Sequence, residues 1–266
     1  MKIIILAAGE GTRLRPLTEN IPKCMVKLFG KSILETQIET YRGCGISDIS
    51  VVTGYLGNSI NIDNIKYYRN PNFKNTNMVE TLFCAKENLN DSVIVAYGDI
   101  VFERKILEKL IKSKDDISIT IDTNWEKYWK TRFQEPLDDA ESLRLDSNGY
   151  ILDIGQKINE IEEIQGQFIG LMKFEQDGIN NLKKFYEKVK KESTLGENPL
   201  NPNLPFEKSF MTDLLRGMIK SGYKLKSVPI ENGWLEIDSY SDYQLYNNLQ
   251  QKNLLKNFID LGQDNE

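Results

Sequence analysis

Histidine is absent from the 266-residue chain, which narrows the chemistry that the protein can perform. Without histidine there is no Ser-His or Cys-His nucleophilic triad, no imidazole acid–base catalyst and no histidine ligand for a metal. Any bound metal is therefore expected to be a hard ion with oxygen ligands, and Mg²⁺ is the usual choice beside phosphates. A reaction that needs no strong general base suits this composition.

Cysteine is scarce as well, since only Cys24, Cys44 and Cys84 are present. Three scattered cysteines supply neither a disulfide framework nor a zinc site. We expect them to be small buried side chains in a reducing compartment, which predicts a cytoplasmic protein. The sequence also lacks an apolar run near the roughly 20 residues of a membrane span, and its N-terminus lacks a signal-peptide pattern.

Neither sign of charge dominates, because 34 basic and 39 acidic residues give a formal net charge of −5. This balance argues against general binding to nucleic acid or to anionic membranes, although it leaves room for a local basic pocket. Hydrophobic residues make up 40% of the chain and charged residues 27%, which is ordinary for a globular protein. A chain of this length can bury the core of one large α/β domain.

What the sequence does contain is a glycine-rich stretch, LAAGEGTRLRPLT, over Leu6–Thr18. It follows the apolar run Ile3–Leu6, which predicts a buried strand. Glycines let backbone N–H groups approach a phosphate, and Arg13 and Lys23 add positive charge. The spacing is neither that of a P-loop nor that of a Rossmann Gly-x-Gly-x-x-Gly motif, because Leu14 replaces the third glycine. A phosphate-binding loop is predicted at the end of the first strand.

Strands and helices are predicted to alternate in the first half of the chain. The predicted strands are Lys2–Leu6, Ile46–Thr53, Ile65–Arg69, Ser92–Ala96 and Ile117–Asp122. The predicted helices run from the Ser32–Glu35 capping box to Gly43 or Gly45, over Met78–Leu89 and over Arg104–Lys112. Such alternation indicates an α/β fold with a doubly wound, mostly parallel sheet.

The pattern changes after Asp122, where the aromatic and polar segment Asn124–Pro136 shows no predicted element. The elements predicted beyond it are a hairpin over Leu143–Ile158, a strand over Gln167–Phe174, helices over Ile179–Glu192 and Phe210–Ser221, a strand over Leu225–Val228, a short strand or turn over Trp234–Asp238 and a closing helix over Tyr240–Phe258. We expect a single domain over 1–266, with a nucleotide-binding half (1–122), an acceptor-binding half (123–238) and a closing helix (239–261).

The glycine-rich string, followed by Pro22-Lys23, resembles the signature of the nucleotidyltransferases that activate sugar 1-phosphates and related phospho-compounds. The resemblance covers nearly the whole chain and continues in the segments Ile33–Asp48, Val52–Tyr55, Asn75–Met78, Glu80–Leu82, Tyr97–Asp99, Gly155–Lys157 and Trp234–Asp238. It implies a Rossmann-like sheet of the nucleotide-diphospho-sugar transferase type with a small acceptor-binding β insertion.

Within this family, the chain is similar to a small bacterial CTP-dependent branch, on the strength of Phe73 with NTNM, of PKCMV and of Glu236-x-Asp238. That branch joins CTP to phosphocholine, aminoalkylphosphonates or phosphoglutamine, the last in capsule or cell-surface polysaccharide modification. The implied partners are CTP and a small phosphorylated acceptor, and a homodimer stays open. The alternatives are a sugar-1-phosphate nucleotidyltransferase that uses UTP or dTTP and a nucleotide-sensing module without catalysis.

The resemblance also implies residue roles. Arg13 is expected to bind the β- and γ-phosphates, Lys23 the α-phosphate and Lys157 the acceptor phosphate. Asp99, Glu236 and Asp238 are expected to supply oxygen ligands to Mg²⁺. The nucleotide is expected to contact Leu6, Ala7, Ala8, Gly9, Gly11, Thr12, Gly54, Asn77, Met78, Thr81 and Tyr97.

The nature of the acceptor is left open by the residues near it. Trp129 and Trp234 suit an aromatic cage around a choline headgroup through cation–π attraction. Arg132 instead suits a carboxylate, which a phospho-amino acid would carry. The third interpretation is that the aromatic side chains pack in the core and the charges are solvated.

Overall fold

The computed structural model describes residues 1–262 and has a seven-stranded central sheet. The strands are β1 (Lys2–Ala7), β2 (Lys27–Leu28), β3 (Lys31–Ser32), β4 (Ile49–Thr53), β5 (Lys66–Arg69), β6 (Ser92–Tyr97), β7 (Ile100–Phe102), β8 (Ile117–Asp122), β9 (Leu143–Leu145), β10 (Ile151–Ile154), β11 (Gln167–Glu175), β12 (Lys226–Ile230) and β13 (Trp234–Glu236).

Seven α-helices accompany these strands in the described residues. They are α1 (Ile33–Gly43), α2 (Met78–Phe83), α3 (Arg104–Lys112), α4 (Trp125–Arg132), α5 (Asp177–Ser193), α6 (Met211–Lys220) and α7 (Tyr240–Gln251). Within residues 1–262, no helix has both the length and the apolar character needed to cross a membrane.

The central sheet has the order β12-β8-β11-β6-β1-β4-β5. Strands β6, β1, β4 and β5 run parallel to one another, and β12 runs parallel to β8. Strand β11 lies between β6 and β8 and is antiparallel to both. The predicted doubly wound, mostly parallel α/β fold is therefore confirmed, and so is the predicted hairpin, which consists of β9 and β10.

Both faces of the sheet are covered, as the uninterrupted apolar runs in its strands indicate. In β1, Ile3 and Ile5 pack into one hydrophobic cluster with residues of α1, α3, α4 and α7. Ile4 and Leu6 point to the opposite face, where residues of α2, α5 and α6 form the second cluster. The two clusters hold β1 at the centre of the molecule, so the loop that follows β1 starts from a fixed point.

Three predictions about helices were wrong. Helix α4 was not predicted, yet Trp125, Tyr128 and Trp129 have helical spacing and bury their rings in the core. Helix α2 ends at Phe83 instead of Leu89, and Asn88 beyond it donates a buried hydrogen bond to Ser50 Oγ at 2.8 Å.

The closing helix is also shorter than predicted. Helix α7 ends at Gln251 rather than Phe258, because Asn253 takes a left-handed conformation with φ of 56° that a helix does not tolerate.

The ends of β1, β6 and β13 lie close together in the fold. The backbone N–H of Gly98, just after β6, donates to the Leu6 carbonyl of β1 at 2.9 Å. Strands β7 and β13 then pair antiparallel, and Ile237 N–H donates to the Asp99 carbonyl at 2.8 Å. This pairing places Asp238, at the end of β13, beside Asp99 although 138 other residues separate them in the sequence.

Asp122 at the end of β8 is fully buried and provides a stability test of this region. Its carboxylate accepts hydrogen bonds from Trp234 Nε1 at 2.9 Å and from the backbone N–H groups of Asn124 and Asn232 at 2.9 and 3.2 Å. Asp122→Ala would leave these donors buried without an acceptor, so we expect the free energy of unfolding in urea to fall by about 2–4 kcal/mol.

Thr120→Val on the same strand is the matched control, because Thr120 is also fully buried but its hydroxyl has no hydrogen-bond partner in residues 1–262. The free energy of unfolding of this variant is expected to lie within about 0.5 kcal/mol of the wild-type value or above it. Equal losses in the two variants would show that the hydrogen bonds of Asp122 are not what stabilises this end of the sheet.

Candidate active site

A cavity of about 260 Å³ opens at the carboxyl ends of β1 and β6. Fourteen of the residues predicted to bind nucleotide, phosphate or metal line it, namely Leu6, Ala7, Ala8, Gly9, Gly11, Thr12, Arg13, Lys23, Asn77, Met78, Thr81, Tyr97, Asp99 and Asp238. Cys24, Phe73, Thr76 and Gly98 complete the lining and were not predicted. The carboxyl end of a parallel sheet is the usual place for a ligand in α/β folds.

Two glycines shape this cavity through close packing. Gly11 has φ of +60°, and a Cβ there would lie 2.9 Å from Lys23 Cβ. Gly54 does not line the cavity, contrary to its predicted contact with nucleotide. A Cβ on Gly54 would lie 2.5 Å from the Ala8 carbonyl oxygen and 2.7 Å from Phe73 Cβ. Gly54 therefore permits β4 and the glycine-rich loop to approach each other.

Four charged side chains meet at one end of this cavity. The Lys23 ammonium lies 2.6 Å from Asp99 Oδ2 and 2.7 Å from Asp238 Oδ1. Arg13 Nη2 lies 2.6 Å from Asp238 Oδ2, and the Arg13 side chain is 70% exposed. Lys23, Asp99 and Asp238 are far less exposed, at 14%, 16% and 17%. The ammonium of Lys23 thus neutralises two enclosed carboxylates, and Arg13 adds a second positive charge beside Asp238.

The pKa values in this group follow from burial opposed by close opposite charge. Burial alone would lower the pKa of Lys23, but the Asp99 and Asp238 carboxylates outweigh it and raise that pKa above its ordinary value. Burial would raise the pKa of Asp238, but Lys23 and Arg13 reverse this and hold it below its ordinary value. Asp99 Oδ1 is buried and accepts no hydrogen bond from the described residues. One oxygen in the group thus remains available to a ligand.

A second cavity of about 180 Å³ adjoins the first. Arg13, Met78, Tyr97 and Asp238 line both cavities. The other lining residues of the second cavity are Trp129, Asp139, Glu141, Gln167, Phe168, Ile169, Gly170, Phe210, Thr212, Trp234 and Glu236. Two ligands bound in these cavities would meet beside Arg13 and Asp238.

Tyr97 separates the two cavities at the end of β6. Its ring packs on Gly170 of β11, where φ is +79° and an added Cβ would lie 2.5 Å from Tyr97 Cδ2. The pairing of β11 with β8 is irregular between Phe168 and Met172, which includes this glycine. The absence of a side chain at Gly170 therefore allows the tyrosine ring to stand between the cavities.

Arg132 lines neither cavity, in contrast to its predicted contact with the acceptor. Its side chain is 1% exposed, and its guanidinium pairs with Glu236 at 2.8 Å and Asp242 at 2.9 Å. Asp242 in turn accepts from the backbone N–H groups of Asp238 at 3.1 Å and Ser239 at 2.9 Å. Arg132 thus acts behind the cavities, where it holds both ends of the Glu236–Asp238 segment.

Glu236 makes different contacts from Asp99 and Asp238, the other two predicted metal ligands. It lines the second cavity only, and its Oε2 is engaged by Arg132. Burial raises the pKa of Glu236 to about 7, against a lowering influence of Arg132 and with the Asp99 and Asp238 charges adding to the rise. Among residues 1–262, no three acidic, cysteine or histidine side chains are grouped in a way that could hold a metal ion. The predicted three-carboxylate cluster is thus not present, whereas Asp99 and Asp238 are close together.

The other predicted acceptor residues differ in where they lie. Trp129 and Trp234 line the second cavity but are 4% and 2% exposed. Their indole N–H groups donate to Asp139 at 3.1 Å and to Asp122. Lys157 is exposed on the loop after β10 and lines neither cavity, contrary to its predicted contact with the acceptor phosphate.

Sequence analysis missed Asp139, Glu141 and Gln167 in the second cavity. The acidic run DDAE over 138–141 was a visible signal, because it closely follows the aromatic and polar segment Asn124–Pro136. Glu141 is exposed to solvent within the cavity, but partial enclosure by the cavity wall raises its pKa to about 7, and the nearby Asp139, Asp213 and Glu236 charges add to the rise. The second cavity is therefore lined by closely spaced carboxyl groups, which all carry negative charge when ionised.

Comparison with known proteins agrees with this arrangement. Residues 3–141 match the family described as a MobA-like NTP transferase domain. The chain is 40% identical over 256 residues to the CTP:phosphoglutamine cytidylyltransferase of Campylobacter jejuni, which covers 92% of this chain and 98% of that protein. It is 38% identical over 117 residues to the choline-phosphate cytidylyltransferase of Streptococcus pneumoniae, across 42% of this chain and 51% of that protein.

Solved structures share the fold. The CTP:phosphocholine cytidylyltransferase of Streptococcus pneumoniae superposes with a TM-score of 0.68 at 22% identity, over 94% of this chain and 98% of that one. The inositol-1-phosphate CTP transferase of T. maritima superposes with a TM-score of 0.67 at 18% identity, over 97% of each chain. At these identities the likeness supports the α/β architecture.

The buried pairing of Arg132 provides a test with a pH dependence. Arg132→Met would leave the Glu236 and Asp242 carboxylates without their cation, which is expected to cost about 3 kcal/mol of unfolding free energy. The loss of unfolding free energy should be larger at pH 8 than at pH 5.5. Without Arg132 the pKa of Glu236 rises further above its unfolded value, so the folded protein gains by protonating this residue at low pH and loses as pH rises.

Urea unfolding of both proteins at the two pH values is the measurement. Arg104→Met is the matched control, because Arg104 pairs with Glu108 on the surface and is 63% exposed. Its loss is expected to stay below about 1 kcal/mol at either pH. A loss for Arg132→Met that is small, or equal at both pH values, would contradict the role assigned to Arg132.

Proposed function

The chain belongs to the MobA-like NTP transferase family of nucleotidyltransferases, and from this premise we propose that it transfers the cytidylyl group of CTP to a small phosphorylated acceptor. The observation that supports this most is the pair of adjoining cavities that share Arg13 and Asp238, because a group-transfer enzyme must bring two substrates together at one point. The name of the Campylobacter jejuni relative, which spans nearly the whole chain, favours CTP and a non-sugar acceptor such as phosphoglutamine.

In the proposed reaction, an oxygen of the acceptor phosphate or phosphonate attacks the α-phosphorus of CTP. The bond between that phosphorus and the oxygen bridging to the β-phosphate breaks, and pyrophosphate leaves with the bonding electron pair. The attacking oxygen is already anionic at neutral pH, so no general base is required. This agrees with a chain that contains no histidine. The protein must instead hold two polyanions close together and neutralise them.

We assign CTP to the first cavity and the acceptor to the second. The backbone of the glycine-rich loop, together with Asn77, Met78 and Thr81, lines the first cavity where base, ribose and phosphates would lie. Twelve of the fifteen residues that line the second cavity fall within 123–238, which supports the division of the chain into a nucleotide half (1–122) and an acceptor half (123–238). Arg13 is mostly exposed and lies where the two cavities join, so it is suited to bind phosphates of both substrates.

Asp99 and Asp238 fit a divalent cation such as Mg²⁺. Their carboxylates are hard oxygen donors, they already share one cation, and Asp99 Oδ1 is a buried oxygen without a hydrogen-bond partner in residues 1–262. When bound, Mg²⁺ would neutralise charge on the triphosphate and the acceptor. Lys23 would then release the two carboxylates and turn its ammonium to the α-phosphate. Glu236, with Oε2 held by Arg132, is assigned to the acceptor side.

The proposed function predicts which substrates are consumed. With Mg²⁺ present, pyrophosphate release should be fastest with CTP and a phospho-compound such as phosphoglutamine, 2-aminoethylphosphonate or phosphocholine. Asp99→Asn should lower kcat at least about a hundredfold, because several kcal/mol of charge stabilisation are lost. Steady-state pyrophosphate assays over CTP, UTP and dTTP with each acceptor and with glucose 1-phosphate provide the measurement.

Two results would contradict the proposal. Turnover restricted to UTP or dTTP with the hexose phosphate would favour the sugar-1-phosphate alternative. Binding of CTP without pyrophosphate release from any mixture, or an Asp99→Asn variant as active as the wild type, would favour a nucleotide-sensing module. Circular dichroism and the unfolding midpoint of Asp99→Asn serve as the control for folding.

The position of Lys23 predicts that a divalent cation and the nucleotide bind interdependently. Because its ammonium lies between Asp99 and Asp238, the free wild-type protein should bind Mn²⁺ weakly in electron paramagnetic resonance titrations. Lys23→Met should bind Mn²⁺ about tenfold more tightly in the absence of nucleotide, since a competing buried cation is removed. Lys27→Met, an exposed lysine close in sequence, is the matched control and should behave as the wild type. Equal Mn²⁺ affinity in Lys23→Met and the wild type would refute this competition.

A further inference from the structure

The second cavity has a chemical character that distinguishes among acceptors. We infer that it selects phospho-compounds that carry a protonated primary or α-amine, and that Glu141 is the residue that recognises this amine. The inference rests on the proposed function, because it assigns the acceptor to this cavity.

The charge of the lining is strongly one-sided. Four carboxyl groups line the second cavity, those of Asp139, Glu141, Glu236 and Asp238, against the single cation of Arg13. Asp238 is neutralised by Lys23 and Arg13, and Glu236 is paired with Arg132. Asp139 accepts a hydrogen bond from Trp129 Nε1. Glu141 is exposed to solvent within the second cavity, and in residues 1–262 its side chain makes neither an ion pair nor a hydrogen bond, so its carboxylate is accessible to a cationic group of a ligand.

Glu141 is held in place by its backbone while its carboxylate stays free. Gln167, at the start of β11, is 4% exposed and clamps Glu141 from both sides of the peptide. Its Oε1 accepts from Glu141 N–H at 3.1 Å, and its Nε2 donates to the Glu141 carbonyl at 2.6 Å. This clamp gives the carboxylate a defined origin at the wall of the cavity, which is the preorganisation that a recognition site requires.

The placement of charged residues in the two cavities suits a ligand with opposite charges at its two ends. Arg13 and Asp238 line both cavities, whereas Glu141 lines the second cavity alone. An acceptor whose phosphate lies beside Arg13 would therefore extend toward Glu141 with its other end. A cation at that end would compensate the carboxylate of Glu141.

The aromatic residues argue against a cage for a quaternary ammonium ion. Trp129 and Trp234 pack against Tyr128 and each other, with ring centroids 5.4–6.1 Å apart, and at 4% and 2% exposure they leave little ring surface for a ligand. A quaternary ammonium has no N–H to give to Glu141, whereas a primary ammonium has three. A neutral hexose would leave the Glu141 charge without compensation. An amine that donates hydrogen bonds is the best match to this lining.

The test compares an amine acceptor with its uncharged isostere. With saturating CTP and Mg²⁺, pyrophosphate release would be measured for 2-aminoethylphosphonate and propylphosphonate, for O-phosphoethanolamine, phosphocholine and phosphoglutamine, and for glucose 1-phosphate. The wild-type protein should prefer 2-aminoethylphosphonate over propylphosphonate at least about tenfold in kcat/KM, as expected for one charged hydrogen bond. It should also prefer O-phosphoethanolamine over phosphocholine.

Glu141→Gln keeps the size of the side chain and removes its charge. In this variant the preference for the amine over its isostere should vanish, through an increase in KM for the amine of about tenfold to a hundredfold rather than through kcat. Glu162→Gln is the matched control, because Glu162 is exposed and lines neither cavity. Isothermal titration of CTP into Glu141→Gln should match the wild type, since Glu141 does not line the first cavity.

The outcomes separate this inference from the proposed function. If CTP is consumed but the amine and its isostere are used equally, or if Glu141→Gln keeps the wild-type preference, the role of Glu141 is refuted and cytidylyl transfer stands. A wild-type preference for phosphocholine over O-phosphoethanolamine would refute the primary amine and favour the quaternary one. If no acceptor is used with CTP, the proposed function and the inference both fail.

Discussion

The ammonium of Lys23 between Asp99 and Asp238 is the interaction on which the arrangement of this site depends. Two enclosed carboxylates so close to one cation would repel each other strongly if that cation were absent. The three residues come from the segment that follows the glycine-rich loop, from the end of β6 and from the chain just after β13. Their contact therefore requires the parallel pairing of β1 with β6 and the antiparallel pairing of β7 with β13. The fold and the charge balance of the site thus support each other.

A second buried cation also lies between two carboxylates, behind the cavities. Arg132 neutralises Glu236 and Asp242, and Asp242 accepts hydrogen bonds from the backbone that carries Asp238 and Ser239. The hydroxyl groups of Tyr128 and Tyr246 fix the main chain of Glu236 as well, at 2.9 and 2.8 Å. Helices α4 and α7 therefore hold β13 through polar contacts inside an otherwise apolar cluster. The rigidity of the acidic segment comes from side chains that never face the cavities.

The sequence predicted the features that depend on neighbouring residues and missed those that depend on distant ones. The apolar runs of β1, β6 and β8 and the glycine-rich loop have local signals, and they were predicted. Arg132 was assigned to a ligand because nothing near it in the sequence shows that Asp242, 110 residues away, neutralises it. Glu141 was missed for the same reason, since the clamp that makes it a candidate comes from Gln167 in another strand. Ion pairs between residues that lie far apart in the sequence cannot be recognised from a local sequence pattern.

The two cavities differ in which charge they leave uncompensated, and this difference can orient the acceptor. At the shared end, Arg13 is mostly exposed and Lys23 can leave its carboxylates when a triphosphate brings more negative charge. At the far end, Glu141 has no cation of its own among the described residues. A zwitterionic acceptor bound with its phosphate toward Arg13 satisfies both ends. The reversed molecule would place an anion against Glu141 and a cation against Arg13, and both contacts are repulsive. The same charges that bind the acceptor therefore exclude its unproductive orientation, so specificity and alignment for attack have one physical cause.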